Sequence, residues 1–167
     1  MEKALRKVYN SRKLTLLLKT VSVISVILTV FAYSAILFHA FYQSRKEGLT
    51  ILLPTAIPFL LITIIRRLIN APRPYELYDF YKIKPKEKSG RSFPSRHVFS
   101  AFVIGTTSLI YTLELGFLVL IFAALMAAAR VLLGIHFIRD VVAGAVIGAI
   151  SGAIGIFGVY YTVFMLY

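Results

Sequence analysis

Five long stretches of this chain contain no Asp, Glu, Lys or Arg, and they decide what it can fold into. They run from Thr20 to Ser44, Gly48 to Ile65, His97 to Leu113, Leu115 to Ala129 and Val141 to Tyr167, or 25, 18, 17, 15 and 27 residues. A helix needs about 20 mostly apolar residues to cross the ~30 Å hydrocarbon core of a bilayer. The first and last stretches meet that length outright. The middle three reach it with flanking residues whose charged heads extend to the interface, as Arg66 and Arg67 do for the second. The fourth spans only if Val131 to Leu133 extend it. The pattern predicts an all-α, polytopic transmembrane helix bundle of five spans, forming one membrane-embedded domain over residues 1–167. A soluble enzyme and a secreted basic protein are both excluded, and the mean hydropathy of +0.81 agrees.

The charges outside those stretches are strongly biased, with 19 Lys and Arg against 7 Asp and Glu. Residues 1–19 are basic and precede an apolar run too long for a signal-peptide core, which predicts a retained anchor with an interfacial amphipathic helix before it. The one long connection, residues 70–96, carries Pro72, Pro74 and Pro85 and the basic ladder Lys82, Lys84, Lys86 and Lys88. A loop of that length carries function or lies on a surface. Its Tyr75, Tyr78, Phe80 and Tyr81 fit an interfacial aromatic belt. Nucleic-acid binding by the ladder is not expected, because the spans leave no domain to support it. Gly144, Gly148 and Gly152 form a small-residue face that allows close helix approach, either within the monomer or as a homo-oligomer contact with a second copy. The absence of Cys removes disulfides, thiolate metal sites and thiol nucleophiles.

Ionisable groups within or beside spans are costly and therefore functional candidates. Apart from His39, which stands alone and receives no role, they fall into three clusters. These are Arg66 to Pro74, Ser92 to His97, and Ala129 to Asp140. His136 and Asp140 are four apart, which on a helix places them on one face, so the carboxylate can hold one imidazole nitrogen and leave the other basic. Pro94 and Ser95 fit the turn and N-cap of the helix that follows, and a helix N-terminus favours a phosphate. Arg66, Arg73 and Arg130 supply planar donor forks matched to phosphate oxygens. Arg67 and Arg139 read as helix-end anchors. A metal site from His97, His136 and Asp140 is disfavoured by the surrounding guanidinium groups, and a serine hydrolase on Ser95 lacks a Gly-x-Ser-x-Gly elbow. No metal and no cofactor are expected.

Together the clusters resemble the signature of the type 2 phosphatidic acid phosphatase family, membrane lipid phosphatases that share their site with vanadium haloperoxidases and acid phosphatases. The family pattern is Lys-x6-Arg-Pro, then Pro-Ser-Gly-His, then Ser-Arg-x5-His-x3-Asp. Here it appears as Arg66-x6-Arg73-Pro74, Pro94-Ser95-Arg96-His97 and Ala129-Arg130-x5-His136-x3-Asp140. Three positions depart from it: Arg66 replaces Lys, Arg96 replaces Gly, and Ala129 replaces Ser. The resemblance implies six spans, the missing one being the first, and no metal. It implies His136 as nucleophile, Asp140 orienting it, and His97 as the acid for the leaving oxygen. Arg66, Arg73, Ser95, Arg130 and the Arg96 amide would bind the phosphate.

Phosphatidylglycerophosphate, phosphatidate, undecaprenyl pyrophosphate and phosphorylated lipid A all present a phosphate at the headgroup layer, and the short loops favour the first three. The positive-inside rule places the basic end of the bundle in the cytoplasm. The resemblance places it on the outer face of the cell membrane, which is the expectation carried forward. A non-catalytic binder or transporter of anionic lipids is the alternative. It accounts for the cations but not for His97 or the His136 and Asp140 pair.

Overall fold

The computed structural model describes residues 2–78, 89–109 and 111–164. Seven helices lie among them: α1 (Glu2–Asn10), α2 (Arg12–Gln43), α3 (Arg45–Ile69), α4 (Pro74–Leu77), α5 (Arg96–Ser108), α6 (Leu113–Leu132) and α7 (Ile138–Phe164). The lysines of the ladder, with Phe80 and Tyr81, lie outside the described residues.

Local chemistry sets the boundaries. The Ser11 hydroxyl accepts from the Leu14 N–H and opens α2. Ser44 closes α2 and opens α3, its hydroxyl accepting from the Glu47 N–H at 3.0 Å. Thr112 does the same for α6 through the Leu115 N–H. Asn70, at φ 44°, ends α3 in the left-handed conformation that asparagine tolerates. Helix α1 buries Leu5 and Val8 and leaves Lys3, Arg6 and Lys7 exposed, as an amphipathic segment should.

Among the described residues, four helices are long and apolar enough to cross a membrane: α2, α3, α6 and α7. Their outer faces carry exposed large side chains such as Phe31, Phe38, Ile121 and Ile154, a surface suited to lipid and not to water. The third apolar run is shorter than the sequence suggested. Helix α5 stops at Ser108 after 13 residues, roughly 20 Å, and does not reach across the hydrocarbon on its own. It has no need to, because it is the centre of the bundle. It packs against α7, α6, α2 and α3, and eight of its residues, from Val98 to Ser108, are buried.

The glycine face of α7 lies against α5. A Cβ on Gly144 would stand 2.6 Å from the Ser95 carbonyl oxygen, one on Gly148 2.5 Å from that of Phe99, and one on Gly152 2.8 Å from that of Val103. The four-residue step of the glycines matches the four-residue step of those carbonyls, so the two backbones touch along three turns. This face is therefore occupied within the monomer and is not open to a second copy.

The alternation of helices brings the start of α2, the end of α3, the start of α5, the end of α6 and the start of α7 to one end. Main-chain hydrogen bonds tie the connections there: Ser92 N to Ala71 O at 2.9 Å, Tyr75 N to Gly134 O at 3.2 Å, and Ser95 N to Asp140 O at 2.9 Å. Tyr75 is buried by this packing and is not part of an aromatic belt.

Candidate active site

At the tied end, polar side chains that would be expensive to bury are buried together. Ser92, Ser95 and Asp140 are fully enclosed, His136 is 1% exposed, and Arg66, Arg73 and Arg130 are each below 8%. Each arginine is placed by a helix end. Arg66 sits in the last turn of α3, Arg73 precedes α4, and Arg130 lies in the last turn of α6.

Main-chain carbonyls hold two of the guanidinium groups. Arg66 Nη1 donates to the carbonyls of Pro94 and Ser92. Arg73 Nε donates to Gly90 O at 3.0 Å and its Nη1 reaches Ile135 O at 3.5 Å. The Arg73 segment is itself clamped by Glu76, which accepts from the N–H of Arg73 and of Gly90, each at 2.8 Å, and from the Ser89 hydroxyl. Carbonyls orient a guanidinium without cancelling its charge. Against these three cations stands Asp140, the one buried carboxylate among the described residues. Three buried guanidinium groups around one buried carboxylate favour an anionic ligand such as a phosphate.

His136 does not lie on a helix, contrary to the expectation from its four-residue spacing to Asp140. After α6, the N–H groups of Ile135 and His136 both bond back to Arg130 O, and Gly134 turns the chain at φ 69°. His136 thus occupies the turn, while Asp140 lies in the first turn of α7 and accepts from the Phe137 N–H at 2.9 Å. The pair still meets, with Nδ1 of His136 3.6 Å from Oδ2 of Asp140.

A third residue, assigned no role from sequence, joins them. The Ser92 hydroxyl donates to Asp140 Oδ2 at 2.5 Å, and its oxygen lies 3.3 Å from His136 Nδ1. Since the hydroxyl proton goes to the carboxylate, the oxygen accepts from Nδ1–H, and Nε2 is left with its lone pair. Burial pulls the His136 pKa below the usual histidine range. The neighbouring Asp140 carboxylate opposes that shift, and the charges of Arg73 and Arg130 reinforce it. A neutral imidazole with a free Nε2 beside three cations has the chemistry to attack an anionic electrophile.

Ser95 is the N-cap of α5, but its hydroxyl caps nothing and is buried without a hydrogen-bond partner. An orphaned donor at a helix N-terminus suits an incoming anion. Arg96 and His97 open α5 and lie half-buried at one end of an apolar groove of about 500 Å³ between α2, α3 and α5. Val26, Val30, Phe59 and Val103 line it, and Tyr33 of α2 bonds Thr55 of α3 across it. No group of three or more His, Asp or Glu side chains stands together as a metal site among the described residues. Of the remaining sequence candidates, Arg67 is exposed. Arg139 is 66% exposed, with Nε 3.6 Å from Asp140 Oδ1. His39 packs edge-on against Tyr111, away from the cluster.

The model of the PAP2 superfamily matches residues 47–164. Among solved structures, the chain is similar to LpxE of Aquifex aeolicus, with a TM-score of 0.68, 25% identity and 92% of each chain covered. It is also similar to a transmembrane PAP2-type phosphatidylglycerolphosphate phosphatase of Bacillus subtilis, with a TM-score of 0.67, 22% identity and coverage of 97% of this chain and 87% of the other. No curated protein sequence matches the chain.

Proposed function

The chain belongs to the PAP2 superfamily, and on that premise we propose that it is an integral-membrane lipid phosphatase working through a phosphohistidine, without a metal. The observation that carries the proposal is the buried His136, its Nδ1 engaged by Ser92 and Asp140 and its Nε2 free, beside Arg66, Arg73 and Arg130.

Nε2 of His136 attacks phosphorus as the bond to the lipid oxygen breaks, and His97 gives that oxygen a proton. The imidazole gains positive charge as it bonds to phosphorus, and Asp140 stabilises it directly and through the Ser92 hydroxyl. Water then attacks the phosphohistidine while His97 takes its proton, releasing phosphate and neutral His136. Arg66, Arg73, Arg130, the Ser95 hydroxyl and the Arg96 amide hold the three oxygens that carry charge in the transition state. These groups stand in place before substrate arrives, so little reorganisation is needed.

The apolar groove ending at Arg96 and His97 supports a lipid substrate, with the hydrocarbon chain in the groove and the phosphate among the arginines. Phosphatidylglycerophosphate, phosphatidate and undecaprenyl pyrophosphate fit this division. The catalytic end faces outward. A single Cys at Lys86 would then react with an impermeant reagent in intact cells, and labelling only after permeabilisation would reverse the orientation.

Phosphate release from these lipids by purified protein in detergent with EDTA tests the chemistry. Release that survives EDTA and vanishes in His136→Ala, with a labelled phosphoenzyme trapped in the wild type alone, is the expected result. Headgroup binding with no release from any lipid would favour a lipid binder or transporter.

A further inference from the structure

Arg96 differs from the other site arginines in place and in partners. Its guanidinium lies over the Phe59 ring of α3, 5.8 Å from the ring centre, at the end of the apolar groove that it shares with His97. Among the described residues no carboxylate pairs with it. It is also the first residue of α5, where the positive end of the helix dipole disfavours a cation. An aromatic face orients a guanidinium but leaves its charge unneutralised. Arg96 is thus half-buried, aimed, and short of an anion. Beside it the Ser95 hydroxyl, fully buried, also has no partner.

We infer that the Arg96 side chain binds a second phosphate of the lipid substrate, the one on the leaving-group side of the bond that breaks. The inference rests on the phosphatase reading and deepens it. His97 protonates the leaving oxygen and adjoins Arg96, and both line the groove, so whatever that oxygen carries enters the groove past Arg96. In phosphatidate the leaving group is a neutral diacylglycerol, which offers a guanidinium nothing. In a polyprenyl diphosphate it is a polyprenyl phosphate, and in phosphatidylglycerophosphate it carries a phosphodiester. A fork-shaped cation at this point favours the two-phosphate lipids. Substrate selection therefore resides in the residue that stands where the related signature has glycine.

The test measures kcat/KM of the purified full chain on a polyprenyl diphosphate, phosphatidylglycerophosphate and phosphatidate, for the wild type, Arg96→Gln and Arg96→Lys. Both variants keep the backbone amide and the helix start. The readout is each variant's ratio of kcat/KM on a two-phosphate lipid to that on phosphatidate, which cancels any loss of folded protein. Arg96→Gln should lower this ratio by at least about tenfold, the scale of a lost hydrogen bond to a charged group, and Arg96→Lys should restore part of it. A fall confined to the diphosphate assigns an anhydride-linked second phosphate, and one confined to phosphatidylglycerophosphate a diester-linked one. Unchanged ratios, or a wild type active on phosphatidate alone, overturn the inference while leaving the phosphatase reading intact. A wild type silent on all three lipids defeats the phosphatase reading itself, and the inference with it.

Discussion

The hydroxyl of Ser92 donates to Asp140 Oδ2 at 2.5 Å while its oxygen lies 3.3 Å from Nδ1 of His136. The serine is thereby a bridge between a carboxylate and an imidazole whose own separation, 3.6 Å, is long for a direct hydrogen bond. The position of Ser92 is fixed from both sides, by its N–H to Ala71 O and by its carbonyl accepting from Arg66. The same residue thus sets the imidazole tautomer and holds the Arg66 guanidinium.

Ser92→Ala removes the bridge and leaves the backbone contacts. A lost hydrogen bond to a charged group is worth about 1.5–3 kcal/mol, so kcat should fall roughly tenfold to a hundredfold. Asp140→Asn should fall further, because it also removes the charge that stabilises the imidazolium-like state. Phosphate release and the yield of trapped phosphoenzyme would both be measured. A Ser92→Ala variant with wild-type kcat would show that Asp140 orients His136 without the hydroxyl.

The pH dependence follows from the lowered His136 pKa. The imidazole must be neutral to attack, so kcat/KM should hold as pH falls through the usual histidine value near 6.5 and drop only at lower pH. Stability moves in the same sense. The unfolded chain takes up this proton first, so the contribution is complete above about pH 6.5 and is lost as pH falls toward the folded pKa. Arg73→Gln removes one of the charges that lower the pKa, and its acid limb should shift upward even as its absolute rate drops. A limb that stays in place would remove Arg73 from the electrostatics of His136.

The apolar runs were sufficient to locate α2, α3, α6 and α7, since nothing else in a bilayer satisfies so many consecutive backbone groups. The motif spacings were sufficient to gather Arg66, Arg73, Ser95, Arg130, His136 and Asp140 at one end. The end of α5 was less legible, because no charge separates Ser108 from Leu113. The available signal was Thr112 with Glu114 two residues on, a helix start that implies a break before it. The helical placement of His136 failed on Gly134, whose positive φ turns the chain before α7 begins. Ser92 and Glu76 act through residues distant in sequence, and periodicity carries no trace of such contacts.

Gly134 permits that turn, so a residue with a Cβ there is strained whatever space surrounds it. Gly134→Ala should cost about 1–2 kcal/mol, the penalty of the left-handed conformation. It should also lower kcat, because the strain falls on the segment that delivers His136. The comparison is thermal unfolding in detergent alongside phosphate release. A variant with wild-type melting and rate would mean that the turn relaxes without moving the imidazole.

The seam between α5 and α7 yields the sharpest contrast, because two glycines of one helix should respond oppositely to the same substitution. A Cβ at Gly148 would meet the Phe99 carbonyl oxygen at 2.5 Å and Val103 N at 3.1 Å, both backbone atoms that cannot swing aside. Gly148→Ala must therefore push the helices apart, at about 1–3 kcal/mol. The displacement also stretches the bond from Ser95 N to Asp140 O, which joins the start of α5 to the helix carrying Asp140. Gly155, on the same helix, would place its Cβ 3.6 Å from Pro54 Cβ, an ordinary contact. Gly155→Ala should be neutral or stabilise by up to about 1 kcal/mol through helix propensity. The expected order of melting temperature in detergent is Gly155→Ala at or above wild type and Gly148→Ala well below, with activity lost in Gly148→Ala alone. Equal melting of the two variants would show that the seam has slack for a methyl group, and the α5–α7 contact would no longer account for the placement of Ser95 against Asp140.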